Sequence, residues 1–185
     1  GENALQIKLD QLDWVTRGTN VDWTLYAVDD GCPYGSGKLA EDMAAAHPLR
    51  SKVQVAYLSE AIPTDTGPLS RLRSVDDSRK GGAIVLGAQM AIRDAHSAVI
   101  YTDADTSVHL GQIGLLLQPF VAQGRRVVVG NRKDPHSVFV KQEARFGVGI
   151  KLIRHMQRMI GASILTADFM DSQAPFKDRK STRLN

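Results

Sequence analysis

The 185-residue sequence has one cysteine, Cys32, which excludes an internal disulfide framework and any multi-cysteine zinc site. A reducing, cytoplasmic setting is the expectation that follows. Long apolar runs are also lacking: residues 109–124 are interrupted by Gln112, Gln118 and Gln123, and fall short of the roughly 20 apolar residues a spanning helix needs. Neither glycine (16) nor proline (7) is abundant enough for a collagen-like or low-complexity chain. Charge of one sign is scarce, because 23 basic against 20 acidic side chains leave a net +3. That excess is too small for a dedicated nucleic-acid binder. The sequence opens on Gly1 with no basic-then-apolar leader, so a secretory signal is not expected and the ends read as fragment boundaries.

What is present, 43% hydrophobic and 23% charged residues, is an ordinary globular composition sufficient for one domain. Residues 23–28, 53–58, 98–102 and 126–130 are short runs of Val, Ile, Tyr and Leu closed by Asp, Ser, Gly or Asn, the pattern of buried strands. Residues 36–47, 81–95 and 110–123 lie between or after them, with apolar side chains at three- and four-residue steps, and read as helices. This alternation predicts an α/β fold with a mainly parallel sheet covered by helices on both faces. Ligands of such sheets bind beyond the carboxyl ends of the strands. Residues 59–80, with Pro63, Pro68 and a closing run of charges, read as a long loop insertion of the kind that can serve as a lid. A further amphipathic helix is expected over 138–162, with Lys151, Arg154, His155 and Arg158 on its basic face. Such a face is solvated by default, and the same charges suit peripheral contact with anionic membrane headgroups through 151–158. The end of the chain, 179–185, reads as a frayed or foreign tail.

Two nucleotide-binding signatures fail. Gly35-Ser36-Gly37-Lys38 opens a helix after a strand, but Cys32 stands at the first glycine position of a P-loop and Leu39 replaces the hydroxyl that would hold magnesium. No Gly-x-Gly-x-x-Gly turn follows any strand. Asp103-Ala104-Asp105 is more informative. Two carboxylates at a strand's carboxyl end can converge on one hard cation that bridges a diphosphate, although Asp105 or Ser107 could equally cap the next helix. Asp29-Asp30-Gly31 closes another strand, where paired acids either accept hydrogen bonds from a base or ribose or form an Asx turn. Lys80-Gly81-Gly82-Ala83 opens a helix whose amides, with the lysine, can face phosphate, or simply gives a flexible entry. His109 is a lone histidine beside these groups, more often structural than a ligand.

The order of these segments is what connects them. Val28-Asp29-Asp30-Gly31, Lys80-Gly81-Gly82-Ala83, Asp103-Ala104-Asp105, Val-Val-Gly-Asn-Arg at 128–132 and Asp171-Ser172-Gln173-Ala174-Pro175-Phe176-Lys177 together resemble the family 2 glycosyltransferases of GT-A fold. Among these the resemblance is nearest to the polyprenyl- and dolichyl-phosphate sugar transferases, whose last two segments typically read Gly-Ser-Arg and Asp-Thr-Gln-x-Gly-Phe-Lys. It implies a GT-A catalytic domain over 1–178, incomplete at its N-terminus because the family's first strand is missing. By position, it implies that Asp29, Asp30, Lys80, Gly81 and Asp103 bind the donor nucleotide and that Asp105 with Asp103 holds Mg2+ or Mn2+. Arg132, Gln173 and Lys177 would bind acceptor, while Asp171, with Asp168 second, would take a proton from a hydroxyl acceptor. Arg132 also counts with the catalytic groups through its contact with phosphate. Pro175 in place of glycine and Thr106-Ser107 after the aspartates depart from the pattern.

The expected activity is metal-dependent hexosyl transfer from a UDP- or GDP-sugar to a polyprenyl phosphate or a small hydroxyl acceptor, with inversion. A non-catalytic nucleotide-sugar-binding or partner-binding remnant is the alternative from another class. A sugar nucleotidyltransferase is a third reading, weakened because no glycine-rich Arg-Lys loop opens the chain.

Overall fold

The computed structural model describes residues 3–78, 80–131 and 177–180, the last four by backbone alone. The chain divides into two compact units, Gly1–Val128 with Phe176–Asn185, and Val129–Pro175. The elements below lie in the first unit, apart from the final residue of its fourth strand.

Helix α1 spans Ala4–Thr16 and buries Leu9 and Leu12, which recur at helical spacing with Leu5. It stops at Arg17, whose extended backbone leads into Gly18 at a φ of 75°. Strand β1 (Leu25–Asp29) pairs in parallel with β2 (Val53–Tyr57), in register from Leu25 opposite Val53 to Asp29 opposite Tyr57. Helix α2 (Ser36–Ala46) is the crossover between them. Its first turn lies against the strand ends so closely that a Cβ on Gly37 would stand 2.3 Å from the Tyr57 ring. Glycine alone permits that approach.

After β2 come α3 (Leu58–Ala61) and 3-10 turns at Pro68–Arg71 and Val75–Asp77, then α4 (Lys80–Arg93). Strand β3 (Ala98–Tyr101) follows, and a 3-10 turn at Leu110–Gln112 leads into α5 (Ile113–Gln123), which ends at Gly124 with a φ of 64°. Strands β4 (Val127–Val129) and β5 (Lys177–Lys180) complete the described elements.

Two apolar clusters hold these elements. Leu12 of α1 meets Leu110, Ile113 and Leu116, with Leu25 of β1 and Ile100 of β3 against them. Leu58, Ile62, Leu69 and Leu86 form the second, joined by Val28, Leu72 and Val75.

Three expectations change. The described strands form two sheets rather than one mainly parallel sheet: β1 and β2 are parallel, whereas β3 pairs antiparallel with β5 in a sheet ordered β3-β5-β4. Local sequence encodes a strand but not its partner, and pairing across some 80 residues, Ala98 to Lys180, leaves no local trace. Residues 59–80 are not a structureless loop, because Ile62 and Leu69 are buried in the second cluster at 8% and 2% exposure. Residues 179 and 180, expected in a tail, belong to β5, the middle strand of its sheet, where backbone hydrogen bonding to the neighbouring strands overrides an apolar-poor sequence. The helix expected over 138–162, with its basic face at 151–158, lies outside the described residues. Among the described residues no helix is long and apolar enough to cross a membrane.

Candidate functional site

Helix α4 places its N-terminus at the carboxyl ends of the strands. Its far end is fixed beside the start of β1 and β2, where Asp94 accepts hydrogen bonds from Tyr26 Oη at 2.8 Å and Gln54 Nε2 at 3.1 Å. The helix has 14 residues and is therefore about 21 Å long, enough to run back along strands of roughly 17 Å. Lys80 consequently arrives beside the segment that follows β3, and its Nζ forms an ion pair with Asp103. Sequence spacing alone separates these two groups by 23 residues. Close packing fixes the helix start: a Cβ on Gly82 would lie 2.8 Å from both Leu58 Cδ2 and Ser78 Oγ.

Asp105 is held ionised. The Ser107 hydroxyl and the Ser107 N–H, the latter at 2.9 Å, both donate to it and lower its pKa against the opposing effect of burial, with Lys8 and Lys80 adding attraction. Asp105 thus makes an Asx-type turn, and the cap of the next helical turn, for which Asp105 or Ser107 was the expected candidate, is His109 instead. Asp103 and Asp105 offer hard carboxylate oxygens, which suits Mg2+ or Mn2+. Among the described residues no third His, Cys, Asp or Glu converges with them. Two carboxylates are nonetheless a common protein contribution to a Mg2+ site, whose other positions go to water and phosphate. The donor set therefore fits such a cation, provided that Lys80 yields Asp103 to it.

Asp29 makes the Asx turn that was the alternative to a base or ribose contact. One of its oxygens accepts from the N–H groups of Gly31 (2.9 Å) and Cys32 (3.2 Å), and the other from Ser36 Oγ (2.6 Å) and the Gly37 N–H (2.9 Å). Burial raises its pKa, but these four bonds together outweigh burial and hold the carboxyl below the usual range. The carboxylate ties β1 to the turn and to the start of α2, where the helix dipole also favours negative charge. Asp30 is exposed and has no hydrogen-bond or ion-pair partner among the described residues. Gly31 has a φ of 96°, and a Cβ there would lie 2.6 Å from Val75. The segment entering α4 thereby touches the Asp-Asp-Gly turn at Val75 and the Asp-x-Asp segment at Lys80.

Two remaining motifs are absorbed by local structure. Lys38 pairs with Glu41 at 3.2 Å and Asp42 at 3.0 Å on its own helix, in keeping with the failed P-loop pattern. His109 caps the following turn by accepting from the Gly111 N–H at 3.0 Å and packs edge-on against Trp14. Arg132, Asp168, Asp171 and Gln173 lie outside the described residues. Lys177 is the first residue of β5, opposite Tyr101 at the carboxyl end of β3.

The sequence reading missed Lys8. It is buried at 4% exposure and its Nζ has no hydrogen-bond partner. The signal was a lysine inside the apolar stripe of α1, next to Leu9 and four residues before Leu12.

No known family matches the chain, and no curated protein matches it.

Proposed function

We propose that the chain carries a donor site for metal-dependent sugar transfer from a nucleotide-sugar to a lipid phosphate or small hydroxyl acceptor, as in the GT-A glycosyltransferases. The observation that carries this reading is the contact between Lys80 and Asp103, beside an Asp105 held ionised by Ser107. A cationic helix start and an acidic strand end, motifs of different chemistry, thereby meet at one point. A divalent ion on Asp103 and Asp105 would neutralise the negative charge that builds on the departing nucleoside diphosphate. Lys80 would then turn from Asp103 to the phosphates, and the first turn of α4 would offer them its N–H groups. Asp30, exposed beside the glycine turn, is the better nucleotide contact, since Asp29 is occupied as a structural joint. An acceptor phosphate is already anionic and needs no base; a hydroxyl acceptor would require a carboxylate, for which Asp171 is the first candidate and Asp168 the second.

The test is transfer of labelled sugar from UDP- or GDP-hexose to a short polyprenyl phosphate in the presence of Mn2+. Chelation should abolish transfer, and Asp105→Ala should lower its rate by about 100-fold or more, as when a main electrostatic contact is lost. Transfer that survives both chelator and Asp105→Ala would refute the reading.

A further inference from the structure

Lys8 is the one fully buried polar or charged residue among the described residues, and its ammonium has no hydrogen-bond acceptor. Such a group is strongly unfavourable in a folded protein unless something satisfies it. Its position is well defined. One turn further along α1, Gln11 Oε1 accepts from the Leu110 N–H at 2.8 Å, and Leu12 packs with Leu110, Ile113 and Leu116. This face of α1 is therefore held against the segment that follows Asp103-Ala104-Asp105. Burial lowers the pKa of Lys8, while Asp105 and then Asp103 act in the opposite sense, so the ammonium lies within the field of both carboxylates. Neither is bonded to it. Lys80, meanwhile, is paired with Asp103.

We propose that Lys8 binds a phosphate oxygen of a diphosphate ligand, so that Lys8 and Lys80 hold the anion from two sides at the Asp103–Asp105 cluster. The charges agree with this assignment. Two lysines offset two carboxylates, and a divalent ion then adds a double positive charge, which is the charge complement of a diphosphate diester. A phosphate oxygen supplies the acceptor that Lys8 lacks, and charge-assisted bonds of this kind are strong and short. The inference rests on the proposed donor site for the identity of the anion as the diphosphate of a nucleotide-sugar, but the lysine's need for an anionic acceptor stands apart from it.

The probe is inorganic pyrophosphate, titrated calorimetrically into the wild-type chain and into Lys8→Met and Lys8→Arg, with and without Mn2+. Binding of Mn2+ alone is followed by its spin-resonance signal. Lys8→Met should weaken pyrophosphate at least about tenfold, the effect of losing one charged hydrogen bond. Lys8→Arg should retain most of the affinity. Mn2+ alone should bind Lys8→Met as tightly as wild type or more tightly, because a repelling charge is gone. Lys8→Met should also melt no lower than wild type, because an apolar side chain of similar length replaces a buried, unsatisfied charge. A purely structural lysine would reverse that last result. Pyrophosphate that binds Lys8→Met as well as wild type, or that fails to bind wild type, overturns the proposal. If Mn2+ does not bind wild type while pyrophosphate binds through Lys8, the metal-dependent reading fails and the role of Lys8 stands. If a nucleoside diphosphate with Mn2+ stabilises wild type and Lys8→Met equally, the reverse holds.

Discussion

Asp29 shows how much of this site depends on single side chains. Its two oxygens accept four hydrogen bonds, from Gly31, Cys32, Ser36 and Gly37. Asp29→Asn would turn one acceptor into a donor aimed at other donors, and should cost about 1–3 kcal/mol in denaturant unfolding. The carboxyl's pKa is depressed below its ordinary 3.8 in the folded chain, as is that of Asp105. The stability each supplies is therefore complete above pH values near 3.8 and is lost as pH falls below that toward the folded pKa. Acid titration of the unfolding free energy should show this loss in wild type and a smaller one in Asp29→Asn; equal slopes would contradict the assignment. At this scale the sequence was partly legible. The Asp-x-Asp pair and Lys80 stood out by residue type and place, but the choice between joint and ligand for Asp29 depends on which N–H groups the folded chain brings to it. Lys8 was overlooked because a lysine in a helix ordinarily faces water.

Elements were more legible where their periodicity is local. Strands β1, β2, β3 and β4 are short apolar runs ended by Asp, Leu, Thr or Gly, and their observed bounds differ from the expected ones by a residue or two. Residues 59–79 were harder to read, since Ile62, Leu69, Leu72 and Val75 anchor 3-10 turns and irregular chain, and these have no long period to detect. Their burial has a measurable consequence. Leu69, 2% exposed, should cost about 2–5 kcal/mol when replaced by alanine. A loss below about 0.5 kcal/mol, typical of surface positions, would mean that the segment moves as a lid. Because Val75 touches the Gly31 turn and Lys80 the Asp103 carboxylate, Leu69→Ala should also weaken nucleotide binding if the segment sets the spacing of the two motifs.

For the whole molecule, the sequence carried the alternation of strands and helices. It did not carry the division into two sheets, because strand pairing is a long-range property and Lys177–Lys180 has no apolar alternation to mark it as β5. The architecture nonetheless explains why distant motifs meet: α4 runs along its strands from Lys80 to Arg93, with Asp94 just beyond it fixed at their start, and so delivers a lysine and a glycine-rich helix start to the acids after β3. Binding of a nucleoside diphosphate through a divalent ion at this meeting point is what the proposed donor site requires. The most direct measurement is thermal melting of the chain with UDP, GDP, CDP or dTDP, with and without Mn2+, repeated on Asp105→Ala. A ligand at about 100 times its dissociation constant adds near 2.7 kcal/mol, which melting resolves readily. Stabilisation by one of these nucleotides that requires Mn2+ and disappears in Asp105→Ala is expected; stabilisation by none, or stabilisation that persists in the variant, would rule the donor site out.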